Sequence, residues 1–218
     1  MRTRIAALAT LGAALVLAGC ATTTPYDYSN LRAHPPRSIV VLPPTNSSPD
    51  VKATYGYLST VTLPLAEKGY YVFPVEVVDG FMKENGLPSA NEMQAVPLTK
   101  VREILGADAV LYMNVSQYGT RYEILDSVTE VSATAKLVDV RTGLVLWDGN
   151  VKLAQSANAG ASSGNPLAYL IAAAVNALVN QIVANSTDRA HEVSKLANVQ
   201  LFFDKDKGLL DGPYSTPH

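Results

Sequence analysis

The chain of 218 residues has one cysteine, three histidines and no surplus of basic charge. A single cysteine excludes an internal disulfide framework and any cysteine-rich zinc site. The scattered histidines offer no ligand cluster, so neither a metal nor a cofactor is expected. Lys and Arg number 17 against 19 Asp and Glu, a balance that gives no support to a nucleic-acid partner. Hydrophobic residues at 48% with charged residues at 17% exclude a disordered chain, which needs the opposite composition. Two local absences are as informative. No proline falls between Lys100 and Asn165, and no charge between Leu153 and Thr187.

At the amino terminus, Arg2 and Arg4 precede an apolar run over residues 5–17, interrupted by Thr10 and Gly12. That run is too short to cross a hydrocarbon core of about 30 Å as a helix. Small residues follow it, so residues 1–19 read as a secretory signal peptide. Leu17-Ala18-Gly19-Cys20 resembles the lipobox of bacterial lipoproteins, whose cysteine is acylated and becomes the new amino terminus. The only cysteine of the chain stands at that position. A chance cysteine after an ordinary signal or an inner-membrane anchor is the competing reading. The resemblance implies attachment to a membrane through acylated Cys20. With Ala21, and not Asp, after the cysteine, it implies sorting to the outer membrane, facing the periplasm. Residues 20–37 carry Thr22-Thr23-Thr24-Pro25 and Pro35-Pro36 without an apolar period. They read as a flexible tether reaching up to roughly 50 Å, ahead of one α/β domain over residues 38–218.

Within that domain, Ser38-Ile39-Val40-Val41-Leu42, stopped by Pro43-Pro44, predicts a buried first strand. Val51, Tyr55, Leu58 and Leu65 fit one helical face, with Ser48 or Asp50 as cap and Pro64 as a kink or restart. Tyr70-Tyr71-Val72-Phe73 predicts a second strand. The strand–helix–strand order makes this a βαβ unit with parallel strands. Residues 75–84 and 97–105 predict two short helices joined by a loop, the second ended by Gly106. Residues 109–116 predict a strand. Val131, Ala133, Ala135 and Leu137 then alternate with Glu130, Ser132, Thr134 and Lys136, and Val145, Trp147, Val151 and Leu153 alternate on the return. That is a long antiparallel hairpin turning at residues 139–143. Asn165-Pro166 opens a helix with the stripe Leu167, Leu170, Ile171, Ala174, Leu178 and Ile182. A further helical turn or two after Asp188 leads toward a last strand at residues 199–203, and residues 209–218 read as a tail.

This order resembles the amino-terminal domain of TolB: a mixed sheet with a βαβ unit, an antiparallel meander and a packed carboxyl-terminal helix. The segment Leu137-Val138-Asp139-Val140-Arg141-Thr142-Gly143-Leu144-Val145-Leu146-Trp147 resembles a hairpin of CsgG-like and LpoB-like periplasmic lipoproteins. Residues 60–74, Thr-Val-Thr-Leu-Pro-Leu-Ala-Glu-Lys-Gly-Tyr-Tyr-Val-Phe-Pro, are more specific. Together with the lipobox and the closing Leu209-Leu210-x-Gly212-Pro213-Tyr214, they resemble a family of Gram-negative outer-membrane lipoproteins that includes a neisserial vaccine candidate. The resemblance implies no reaction. It implies a non-enzymatic binding or scaffold component of an envelope complex, accessory to a CsgG-like secretion lipoprotein. An LpoB-like regulator of peptidoglycan synthesis is the alternative.

The remaining motifs are weaker. Gly160-Ala161-Ser162-Ser163-Gly164 matches the G-x-S-x-G pattern but lies in a loose polar loop, where a flexible linker accounts for it better than an envelope serine hydrolase. Asp204 and Asp206 lack the third acid and the distal Glu of a calcium loop and read as a solvated turn. His34 and His191 read as surface residues. The charge-free helix leaves a small, neutral second face around Ala173 and Ala177. Coverage by the rest of the chain, a membrane span, and an interface for self-association or an envelope partner remain open for it, with Ala173 and Ala177 as the interface candidates.

Overall fold

The structure, a computed structural model, describes residues 25–122, 127–156 and 188–216. The first strand, β1 (Ser38–Val41), is an inner strand whose apolar residues are fully buried. Helices α2 (Ala53–Leu58) and α3 (Thr62–Glu67) carry the chain from β1 back to β3 (Tyr71–Val72). β3 pairs parallel with β1, Ser38 opposite Tyr71, so the βαβ expectation holds. The expected kink is a restart: α2 ends at Leu58, and Pro64 sits in the first turn of α3, where a missing N–H costs nothing.

Beyond β3 come α4 (Val75–Glu84), α5 (Ala90–Gln94) and α6 (Leu98–Leu105). β4 (Ala109–Tyr122) then pairs parallel with the other edge of β1, and β5 (Ser127–Asp139) and β6 (Val145–Ser156) complete an antiparallel meander. A two-residue strand, β2 (Thr45–Asn46), also pairs with β4. The order β3-β1-β4-β5-β6 gives an open mixed sheet, and the mixed α/β class read from the sequence stands. Residues after Asp188 form α7 (Arg189–Phe203).

Two cores flank the sheet. On one face α2, α3 and α7 cover Ile39, Val41, Leu111, Val115, Val131, Leu137 and Trp147. On the other, Val78, Met82, Met93 and Val101 of α4, α5 and α6 cover Val40, Leu42 and Val110. The second layer stops at β4; beyond it Thr134, Lys136, Asp148 and Asn150 are exposed. The alternation that predicted the hairpin is therefore a one-sided sheet with a wet face.

Several expectations change in three dimensions. Residues 199–203 continue α7 and form no strand, because Ala190, Val193, Ser194, Ala197, Asn198, Leu201 and Phe202 are buried at helical spacing. The loop between α4 and α6 contains α5, opened by a reciprocal capping box between Ser89 and Glu92. Val51 and Tyr55 are exposed, and Ala53, Tyr57 and Leu58 face the core, so the buried face of α2 is rotated from the one read in sequence. Asp50 still organises the approach, its Oδ1 accepting the Lys52 N–H at 2.8 Å. Trp147 and Val151 are buried as expected, but Val145 is not. A bulge pairs Leu137 with Trp147 and Val138 with Val145, leaving Leu146 as the extra residue and reversing the face before it.

The boundary of the tether also moves. Residues 29–33 form a helix, α1 (Ser29–Ala33), with Leu31 buried in the first core. The folded body thus begins near Tyr26 and not at Ser38. The expected tail is likewise packed through residue 215, and Leu209 is buried.

Candidate functional site

The expected lipobox Leu17, Ala18 and Gly19 with Cys20, the linker serine Ser162, and the interface candidates Ala173 and Ala177 with the helix expected to bear them all lie outside the described residues. What the structure positions is the junction where the chain from Cys20 joins the folded body. Tyr26 Oη donates to Asp148 Oδ1 at 3.0 Å and accepts the Asp148 N–H at 2.8 Å. Tyr28 Oη donates to the Gly208 carbonyl at 2.6 Å. Asn30 Nδ2 donates to the Val145 carbonyl at 3.0 Å, on the outer edge of β6. Burial, and then the Asp148 carboxylate, push the Tyr26 phenol up to about 12. Burial also raises Tyr28. Both rings therefore remain protonated donors at neutral pH. Burying Leu31 contributes roughly 1.5–3 kcal/mol and each hydrogen bond about 1 kcal/mol, enough to hold this segment on the sheet.

A second clamp closes the other end. Tyr70 Oη donates to the Leu210 carbonyl at 2.8 Å, Lys68 pairs with Asp211 at 2.9 Å, and the N–H groups of Gly212 and Tyr214 reach the Lys68 and Gly69 carbonyls. Gly69 has φ +81°, and a Cβ there would overlap the Ser215 backbone. The two segments that carried the family resemblance, Lys68-Gly69-Tyr70 and Leu209 to Tyr214, are thus in contact. Sequence spacing hides this, since some 140 residues separate them.

Chemically reactive candidates take structural roles. His191, read from the sequence as a surface residue, is half-buried and lies with Nε2 3.1 Å from Ser59 Oγ, and its Nδ1 is 3.6 Å from Glu192 Oε1. Serine, histidine and acid are together, yet the arrangement is not a nucleophile with its base. Ser59 Oγ donates to the Gly56 carbonyl at 2.9 Å, and Glu192 is engaged by Lys195 at 2.8 Å. Ser59 also caps the carboxyl end of α2, where carbonyl dipoles oppose a developing oxyanion. Beside it lies a mainly apolar groove of about 570 Å³ between Tyr55, Leu58, Pro74, Val75 and Val77. His34 follows α1 as its C-cap.

Asp204 Oδ1 accepts the N–H groups of Asp206 and Lys207, which hold its carboxyl below the usual range; the segment is a tight turn, as the sequence predicted. Among the described residues no three of His, Cys, Asp and Glu come together to hold a metal. None of the described helices is long and apolar enough to cross a membrane.

The two clamps mark the limits of a family of lipoproteins. The chain belongs to the family described as "Putative lipoprotein GNA1162-like", whose profile matches residues 26–214, from the first clamping tyrosine to the last closing one. That description is of a lipoprotein and not of an enzyme. A relative from Neisseria meningitidis serogroup B, "Putative lipoprotein NMB1124/NMB1162", is 45% identical over 206 residues, covering 93% of each chain. The crystal structure of lipoprotein GNA1162 from Neisseria meningitidis is 48% identical, with a TM-score of 0.55 over 66% of this chain and 99% of that one. The LpoB carboxyl-terminal domain from Salmonella enterica is 18% identical, with a TM-score of 0.41 over 55% of this chain and 83% of that one.

Proposed function

We propose that the chain is an outer-membrane lipoprotein, held in the periplasmic leaflet by acylated Cys20, that serves as a non-enzymatic binding component of an envelope complex. The observation that carries this reading is the placement of the chain's only cysteine at the end of Leu17-Ala18-Gly19-Cys20, six residues before Tyr26, where the folded body begins. The lipoprotein family supports the anchor. The wet face of β5 and β6 supports a binding role, because it offers a broad polar surface on a rigid sheet. A regulator that must reach through the cell wall is favoured less: six residues of extended chain span only about 20 Å.

Changing Cys20→Ser is expected to abolish palmitate incorporation and release the protein from outer-membrane fractions. Labelling that persists in the variant refutes the anchor. Retention without labelling identifies an uncleaved signal helix instead. Crosslinking in intact cells then separates the two roles, since capture of wall synthases would overturn the scaffold reading in favour of the regulator.

A further inference from the structure

One end of the sheet differs in composition from the rest of the surface. There β1 and β4 begin, β5 ends and β6 begins, and the last turn of α6 runs into β4. Of the six arginines among the described residues, four lie at or beside this end: Arg32 in the last turn of α1, Arg37 just before β1, Arg102 in the last turn of α6 and Arg141 in the β5–β6 turn. All four are exposed. Three aliphatic side chains stand among them in water: Ile104 (56% exposed), Leu144 (41%) and Val145 (37%).

The acids at this end are largely occupied. Asp108 Oδ2 accepts the N–H groups of Arg37 and Ser38. Asp139, 1% exposed, accepts from Arg141 and Thr142, with the Arg141 guanidinium 3.6 Å away. Glu103 is paired with Lys100. Asp27, Asp148, Asp204 and Asp206 stand around Tyr26, Tyr28 and Arg32 as well, so the end carries no net positive charge; what it turns outward is exposed guanidinium groups among aliphatic tips, which suit the phosphates of lipid headgroups and the interface beneath them.

Chain length supplies the occupant. Asn30 fastens the incoming segment to Val145 at this same end, and Tyr26 fastens it to Asp148 three residues further along β6. Only five residues separate Tyr26 from Cys20, so the acyl chains lie within about 20 Å of that point.

We infer that this end of the domain is a membrane-docking face, on which Arg32, Arg37, Arg102 and Arg141 engage anionic phospholipid headgroups while Ile104, Leu144 and Val145 enter the interface. The inference rests on the Cys20 anchor. It adds an orientation: β6 stands with its start toward the leaflet, and the far end of β4, near Asp50 and Lys52, points into the periplasm.

The test uses the lipidated full chain in vesicles of phosphatidylethanolamine with phosphatidylglycerol. A fluorophore is placed at Thr142→Cys on the proposed face or at Lys52→Cys on the far end, and doxyl-labelled lipid is the quencher. The Thr142 probe is expected to be quenched and the Lys52 probe not. At about fivefold in docking equilibrium per arginine near an anionic surface, Arg102→Glu with Arg141→Glu should lower the docked-to-undocked ratio by at least about 25-fold. Replacing phosphatidylglycerol by phosphatidylcholine should act in the same direction. Vesicle flotation should survive both changes, because it reports the acyl anchor. Equal quenching of the two probes, or none in floated vesicles, overturns the docking face and frees it for a protein partner. Wild-type protein that does not float removes the anchor itself.

Discussion

Replacing Trp147 with alanine tests the packing that joins the meander to α7. The indole is fully buried, its centroid is 5.7 Å from the Phe202 ring, and Nε1 donates to the Lys207 carbonyl at 2.8 Å. The adjacent Gly149 is small for the same reason, since a Cβ there would run into the Trp147 ring and Leu201. Truncating a buried aromatic to alanine costs about 3–5 kcal/mol through lost transfer energy and the cavity left behind. Leaving the Lys207 carbonyl unpaired adds roughly 1 kcal/mol or more. At about 2–4 °C per kcal/mol for a domain of this size, the melting midpoint should fall by roughly 8–24 °C. Trp147→Phe should fall between wild type and alanine, because it keeps most of the ring volume and loses the donor. Circular dichroism at 222 nm follows both variants. Because this is the only tryptophan, its blue-shifted emission reports burial in the wild type independently. A midpoint within 2 °C of wild type for Trp147→Ala, or wild-type emission typical of water, refutes the assigned face of β6.

Three further outcomes follow from the clamps and the hairpin turn. Burial works to raise the Asp139 carboxyl, but hydrogen bonds from Thr142 and Arg141 and the Arg141 charge outweigh it and leave its pKa lowered. Its stabilisation should therefore be complete above about pH 5 and lost as the pH falls through the depressed folded value. Asp139→Ala should cost about 1–3 kcal/mol at pH 7 and flatten that acid limb, measured by urea unfolding across pH. Gly69→Ala should cost more than about 1 kcal/mol, from both its positive φ and the overlap with the Ser215 backbone. Limited proteolysis should then cut near residue 210 sooner than in wild type. Leu31→Ala should lose roughly 2–5 kcal/mol; an unchanged midpoint would return residues 26–34 to the tether.

Much of the architecture is legible without coordinates wherever a short-range period carries it. The alternation through residues 130–137 can be satisfied only by a strand with one buried face, and Pro43-Pro44 and Gly106 punctuate elements by removing or supplying backbone options. The parallel pairing of β1 with β3 follows because the crossover between them is too long for a hairpin. The proposed signal peptide and lipobox would be linear addresses, read from residue order alone, so no tertiary contact was needed to single out Cys20.

The tertiary structure decided what depends on partners distant in sequence. Tyr26, Tyr28 and Leu31 look like tether residues until Asp148, Gly208 and the first core are brought beside them. The tail becomes a clamp only when Leu210 meets Tyr70. His191 has no partner within its own helix for Nε2 and finds Ser59 across the fold. The extra residue at Leu146 reverses the face of Val145 without leaving any mark in the alternating pattern. In each case the deciding energy is a contact made after chain closure, and residue order alone does not encode which surfaces closure will bring together.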